Sequence, residues 1–158
     1  MSFEIVLLPA MMIVGPELQT TWVNNECMKA IPAFWQKIKD ENIVSKIPNN
    51  INPDTIYGLY TNYSSDFSLS SGTYSFVIGC SVANDDIIPE GMVSFHIPET
   101  KYAVFTAKGP LHKSVPQIWM EIWQNKEIDR AFTYDFERYD SKSTDDENSI
   151  VKIYIAIK

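Results

Sequence analysis

Two segments of this chain echo each other at a distance of 84 residues. Ile31-Pro32-Ala33-Phe34-Trp35 and Val115-Pro116-Gln117-Ile118-Trp119 both read apolar, Pro, any residue, apolar, Trp. Each is followed by a strand-like run carrying aromatics three apart, Tyr57 and Tyr60 in the first half and Phe136 and Tyr139 in the second. Two echoes in the same order, at a period near half the chain, point to two like units that share one core. With 158 residues in all, the expectation is a single domain made of two halves, about 1–84 and 85–158.

Hydrophobic periodicity fills in the units. Phe3 to Val14 reads as a strand closed by the Gly15-Pro16 turn signal. From about Leu18 to Glu41 the period becomes helical, with Met28, Ile31, Phe34, Trp35 and Ile38 on one stripe and Pro32 placed in the first turn. Strands are expected over Thr55–Tyr63, Tyr74–Val82, Met92–Ile97 and Lys101–Ala107. A second amphipathic helix spans about Lys113 to Asn125, with Val115, Ile118, Trp119, Ile122 and Trp123 inward. Strands at Ala131–Tyr139 and Ile150–Ile157 follow, with a polar, solvated run between them that includes Asp145-Asp146-Glu147. The order is strand–helix–strand–strand twice, with one extra strand between the halves. This predicts an α+β fold in which a curved antiparallel sheet carries two helices.

Charge narrows the choice of partner. The formal net charge is −7 and the pI about 4.7, so nucleic acid and anionic membrane surfaces are not expected partners, because both are bound by Lys and Arg. Cys27 and Cys80 form no CxxC pair and read as buried free thiols of a cytoplasmic protein. His96 and His112 have no metal-ligand spacing, and no metal or cofactor is expected. The apolar N-terminal run is short, contains Pro9 and lacks a basic flank, so it reads as a strand rather than a signal peptide or membrane span. Dinucleotide, Walker and serine-hydrolase signatures are missing from the sequence.

One carboxylate stands out. In Phe132-Thr133-Tyr134-Asp135-Phe136-Glu137-Arg138-Tyr139, period-two alternation puts Phe132, Tyr134 and Phe136 on one face and Asp135, Glu137 and Tyr139 on the other. Glu137 is then either a solvated strand residue or a buried anion awaiting a cationic or hydrogen-donating guest. The chain also holds eight Tyr and four Trp, a stock of amphipathic rings suited to stacking flat ligands. Tyr57, Tyr60, Tyr102, Trp35, Trp119 and Tyr139 are the candidate walls beside Glu137.

The ordered set of segments resembles the effector-binding, gyrase-inhibitory-protein-like (GyrI-like) superfamily, which includes the small-molecule domains of AraC-type and MerR-type regulators. The resemblance rests on Ile31-Pro32-Ala33-Phe34-Trp35, Tyr57-Gly58-Leu59-Tyr60 and Ile88-Pro89-Glu90-Gly91. It continues through Lys101-Tyr102-Ala103-Val104-Phe105, Gly109-Pro110, the Trp119 helix, Phe136-Glu137-Arg138-Tyr139 and Ile153-Tyr154-Ile155-Ala156-Ile157-Lys158. It implies a duplicated strand–helix–strand–strand fold with a ligand cleft between the halves, into which Glu137 projects among aromatic rings. In multidrug-binding relatives this position meets lipophilic cations. In others resembling hydrolases of strained electrophiles, the same glutamate serves catalysis. The 158 residues are consumed by the effector-binding fold, so the expectation is a freestanding binder, or one acting through a regulator partner or as a homo-oligomer. The leading expectation is therefore a binding protein for amphipathic, cationic or neutral aromatic molecules, in transcriptional regulation or in drug or toxin sequestration. A hydrolase using Glu137 as general base or as the group positioning water, and a gyrase-inhibitor-like protein-interaction module, stand as the alternatives.

Overall fold

The computed structural model describes residues 2–141 and 147–158. The elements in order are β1 (Glu4–Leu8), β2 (Met11–Gly15), β3 (Glu17–Thr20), α1 (Cys27–Asp40), β4 (Thr55–Thr61), β5 (Tyr74–Val82), β6 (Val93–Ile97), β7 (Thr100–Lys108), α2 (Leu111–Gln124), β8 (Asp135–Asp140) and β9 (Ile150–Ala156). All nine strands join one antiparallel sheet in the order β1-β7-β9-β8-β4-β5-β2-β6, with β3 also paired to β5. This is the α+β architecture expected from periodicity.

Prolines and glycines bend this sheet without stopping it. The pairs Leu8↔Thr100 and Met11↔Ile97 keep one register across Pro9-Ala10 and Pro98-Glu99. Residues 4–15 and 93–104 therefore form one long antiparallel ribbon with a break where proline cannot donate to the ladder. Since β1 and β2 sit toward opposite ends of the strand order yet are joined by two residues, the sheet must curl to bring its ends together. The Gly15-Pro16 pair, expected to be a turn, is also a break inside an extended run. Met12↔Val82 and Leu18↔Phe76 share one register against β5. A Cβ on Gly15 would lie 2.2 Å from the Ile78 carbonyl oxygen, so only glycine permits the two backbones to approach this closely.

Other boundaries move for tertiary reasons. Leu18 to Thr20, read as the start of the first helix, belong to β3, and α1 begins only at Cys27. Pro32 is accordingly the sixth helical residue, not a first-turn residue, and Pro116 occupies the same position in α2. Each removes one intrahelical bond on a solvent-facing stretch, which moderates its cost. Met28, assigned to the inward stripe, is 63% exposed. The strand expected from Ala131 starts only at Asp135. Asp145 and Asp146 of the polar run lie outside the described residues, and Glu147 sits in an exposed turn.

Two faces result. Tyr57, Leu59, Phe136, Tyr102 and Val104 pack inside the curl with Ile13, Val77 and Ile97. On the opposite face, α1 covers Tyr74, Phe76 and Ile78 of β5, and α2 covers Phe105, Val151, Ile153 and Ile155 of β7 and β9. Strands β4 and β8 run between these two helix-covered cores, and the candidate site lies on them.

Candidate ligand-binding site

Period-two alternation sends Asp135, Glu137 and Tyr139 of β8 to the helix side, and antiparallel pairing aligns them with Tyr60, Gly58 and Ile56 of β4. Gly58, directly opposite Glu137, makes room for the carboxylate. A Cβ there would lie 3.1 Å from Glu137 Oε1 and 3.0 Å from Phe76 Cε1.

Glu137 is buried, with 2% exposure, and three neutral donors converge on it. The Trp119 indole N–H of α2 donates to Oε2 at 2.6 Å, and the Tyr60 hydroxyl donates to the same oxygen at 3.0 Å. The Tyr139 hydroxyl donates to Oε1 at 2.7 Å. Rings close the cage. Tyr60 meets Trp119 edge-on at 5.0 Å, and Trp35 of α1 meets Tyr139 edge-on at 5.2 Å. Loss of water raises the Glu137 pKa above the ordinary carboxylate value, while the bonds from Tyr139, Trp119 and Tyr60 oppose that rise. Burial beside this carboxylate holds the Tyr60 and Tyr139 hydroxyls well above their ordinary value, so both stay protonated donors.

The neighbouring carboxylate is in a different electrostatic position. Asp135, fully buried two residues away on the same face, has a cation: Arg130 Nη2 lies 2.9 Å from its Oδ2. The Tyr63 hydroxyl and the Ala156 backbone N–H complete its shell at 2.6 and 2.8 Å. None of the ion pairs among the described residues includes Glu137. One of two adjacent buried acids is neutralised internally and the other is held by neutral dipoles alone.

The structure brings together Glu137, Tyr139, Tyr60, Trp119 and Trp35. It does not bring Tyr57 or Tyr102 to them. Both pack edge-on against Phe136 inside the curl, at 5.5 and 5.3 Å, on the far side of the sheet. The physical reason is parity: Tyr57 pairs with Arg138 and so shares the face of Phe136, one residue out of step with Glu137. Phe132 is a second correction. It lies before β8, and its ring joins Tyr63, Phe67 and Trp123 on the helix side rather than the face of Phe136. Periodicity also gave no role to Gly58 or Arg130. Arg130 carried one available signal, as one of only two arginines in the chain.

A cavity of about 460 Å³ opens beside the cage between α1 and β4, lined by Pro32, Trp35, Lys39, Val44 and Ile56 among others. Trp35 belongs to both, lining the cavity and packing on Tyr139. His96 is remote on β6 and contacts Asp85 at 2.6 Å. No cluster of three metal-ligating side chains occurs among the described residues. No helix among them is long and apolar enough to cross a membrane.

Residues 4–157 match the Cass2 family of integron-associated effector binding proteins. The chain belongs to this family, within the GyrI-like superfamily. Among the relatives of this chain is the Bacillus subtilis (strain 168) protein named "Putative transcriptional regulator protein YobU", 34% identical over 82% of this chain and 81% of its own. The transcriptional regulator BrlR of Pseudomonas aeruginosa is 29% identical over 99% of the chain, which spans 56% of BrlR's length. The Vibrio cholerae integron cassette protein VCH_CASS2 superimposes with a TM-score of 0.75 at 29% identity, covering 99% of this chain and 95% of that one. The structure of SAV2435 bound to tetraphenylphosphonium has a TM-score of 0.83 at 23% identity, over 100% of this chain and 94% of that one, a likeness of fold.

Proposed function

We propose that this effector binding protein takes up amphipathic aromatic cations, with Glu137 as counter-charge and Trp35, Tyr60, Trp119 and Tyr139 as walls. The observation that carries the reading is the buried carboxylate held by neutral donors beside an acid that has its own arginine. A bound cation would supply the missing charge, and the ring faces would add cation–π attraction in a desolvated site. That SAV2435, of the same fold, is described bound to a lipophilic cation supports the choice of probe. The regulator relatives support a role in gene regulation.

We read the halves, about 1–84 and 85–158, as copies of one unit. Both helices have 14 residues with Pro sixth and Trp ninth. Each half also places its last strand between the strand that follows its helix and one that precedes it, β5 between β4 and β2 and β9 between β8 and β7. On this reading the ligand lies at the junction of the copies, where β4 meets β8.

Titration with tetraphenylphosphonium, followed by tryptophan fluorescence, tests the proposal. The expected result is saturable quenching that Glu137→Gln weakens by about 300-fold, the size of one charge pair at about 5 Å in a medium of effective dielectric about 20. Equal affinity in a folded Glu137→Gln variant would remove the counter-charge.

A further inference from the structure

The helix-side face of β8 holds a second polar group that the binding proposal does not use. Arg130 is nearly buried, with 8% side-chain exposure. Its Nη2 is bound to Asp135, but its Nε and Nη1 are buried with no hydrogen-bond acceptor among the described residues. Two orphaned donors on a charged group are costly, and such groups call for a partner. The guanidinium lies under rings, 4.2 Å from the centroid of Phe132 and 4.8 Å from that of Trp123.

Phe132 is itself strained. Its φ is +54°, in the left-handed region that bulky residues avoid, and it remains 39% exposed. A half-exposed ring in a disfavoured backbone conformation thus caps a cation with two unused donors. Displacing that ring would open the donors.

Arg130 is also adjacent to the Glu137 cage. Trp119 is common to both, with its N–H on Glu137 and its ring centroid 6.0 Å from the Arg130 guanidinium carbon. Asp135, which holds Arg130, and Glu137 are two residues apart on one strand, hence separated by about 7 Å.

We infer that Arg130 is a second ligand-binding group, a subsite for a carboxylate or carbonyl oxygen uncovered when the Phe132 ring swings aside. It rests on Glu137 binding the cationic end. The ligand class is then narrower than lipophilic cations: amphiphiles with a cationic aromatic head and an oxygen acceptor about 7 Å or a little more away. Planar guanidinium suits such an oxygen better than an ammonium, because its N–H groups form a fixed fork.

Two probes of one head group test this: butyltriphenylphosphonium and (4-carboxybutyl)triphenylphosphonium, titrated at pH 7.5 by tryptophan fluorescence. The wild type is expected to bind the carboxylate probe at least fivefold more tightly. That ratio should fall to about one in Arg130→Gln. Arg130→Lys keeps a cation for Asp135 if the Gln variant does not fold, and should lower the ratio at least twofold. Phe132→Gly, which accepts the positive φ and removes the cap, should raise it. A wild-type ratio of one, or a ratio unmoved by Arg130→Lys and by Phe132→Gly, overturns the subsite and leaves the Glu137 site standing. Binding of neither probe overturns the Glu137 reading and this inference with it.

Discussion

The indole N–H of Trp119 is the shortest of the three bonds to Glu137 and comes from the helix rather than the sheet. Trp119→Phe removes that donor while keeping an aromatic ring against Tyr60. A hydrogen bond to a charged group contributes about 1.5–3 kcal/mol, so its loss lowers the ratio of ionised to neutral carboxyl by about one to two orders of magnitude. Burial already raises the Glu137 pKa, and this variant raises it further.

Two measurements follow from the sign. A cation binds the ionised form, so wild-type affinity for tetraphenylphosphonium should fall as pH drops through the raised pKa, and in Trp119→Phe that fall should begin at higher pH. For stability, a carboxyl with a raised folded pKa holds more protons folded than unfolded in the window between the two values. Its contribution is complete below the ordinary value and declines as pH rises through the raised one. Relative to wild type, urea unfolding should therefore show Trp119→Phe losing stability further as pH increases, beyond a pH-independent packing loss of about 1–3 kcal/mol. In Glu137→Gln that pH-dependent decline should vanish. A folded Trp119→Phe variant with the wild-type pH profile for both binding and unfolding would refute the account of how this carboxylate is held.

Two further substitutions probe the frame around the site. Gly58→Ala places a Cβ within 3.0–3.1 Å of Phe76 and Glu137 Oε1; it should cost about 1–3 kcal/mol in urea unfolding and weaken tetraphenylphosphonium binding. Asp135→Asn leaves the buried Arg130 guanidinium without its counter-charge and should cost about 3–5 kcal/mol. Thermal unfolding of that variant with and without ligand separates a lost fold from a lost site.

Much of the fold was legible because alternation and helical stripes are local properties. Tyr74–Val82 is a strand over the expected range, and both Trp-bearing helices are present. The failures share a cause. Gly15-Pro16 looks like a turn until β5 is alongside, because only the partner strand holds the run extended through it. Leu18 to Thr20 fit a helix until the same strand pairs them. Phe132 appeared to continue the alternation of β8, but a positive φ two residues before Tyr134 throws its ring to the opposite side.

The same division runs through the site. The sequence alone determined that a glutamate stands on one strand face with Asp135 and Tyr139, since a period of two needs nothing but the local backbone. It also supplied the rings. Tertiary structure decided which rings arrive: β4 beside β8 brings Tyr60 and the space at Gly58, α2 brings Trp119, and the parity of the β4–β8 register sends Tyr57 to the other face. It also decided that Asp135 receives the arginine and Glu137 does not. Charge compensation is a property of three-dimensional neighbours, and residues 77 positions apart in the chain, Tyr60 and Glu137, become neighbours only through strand order.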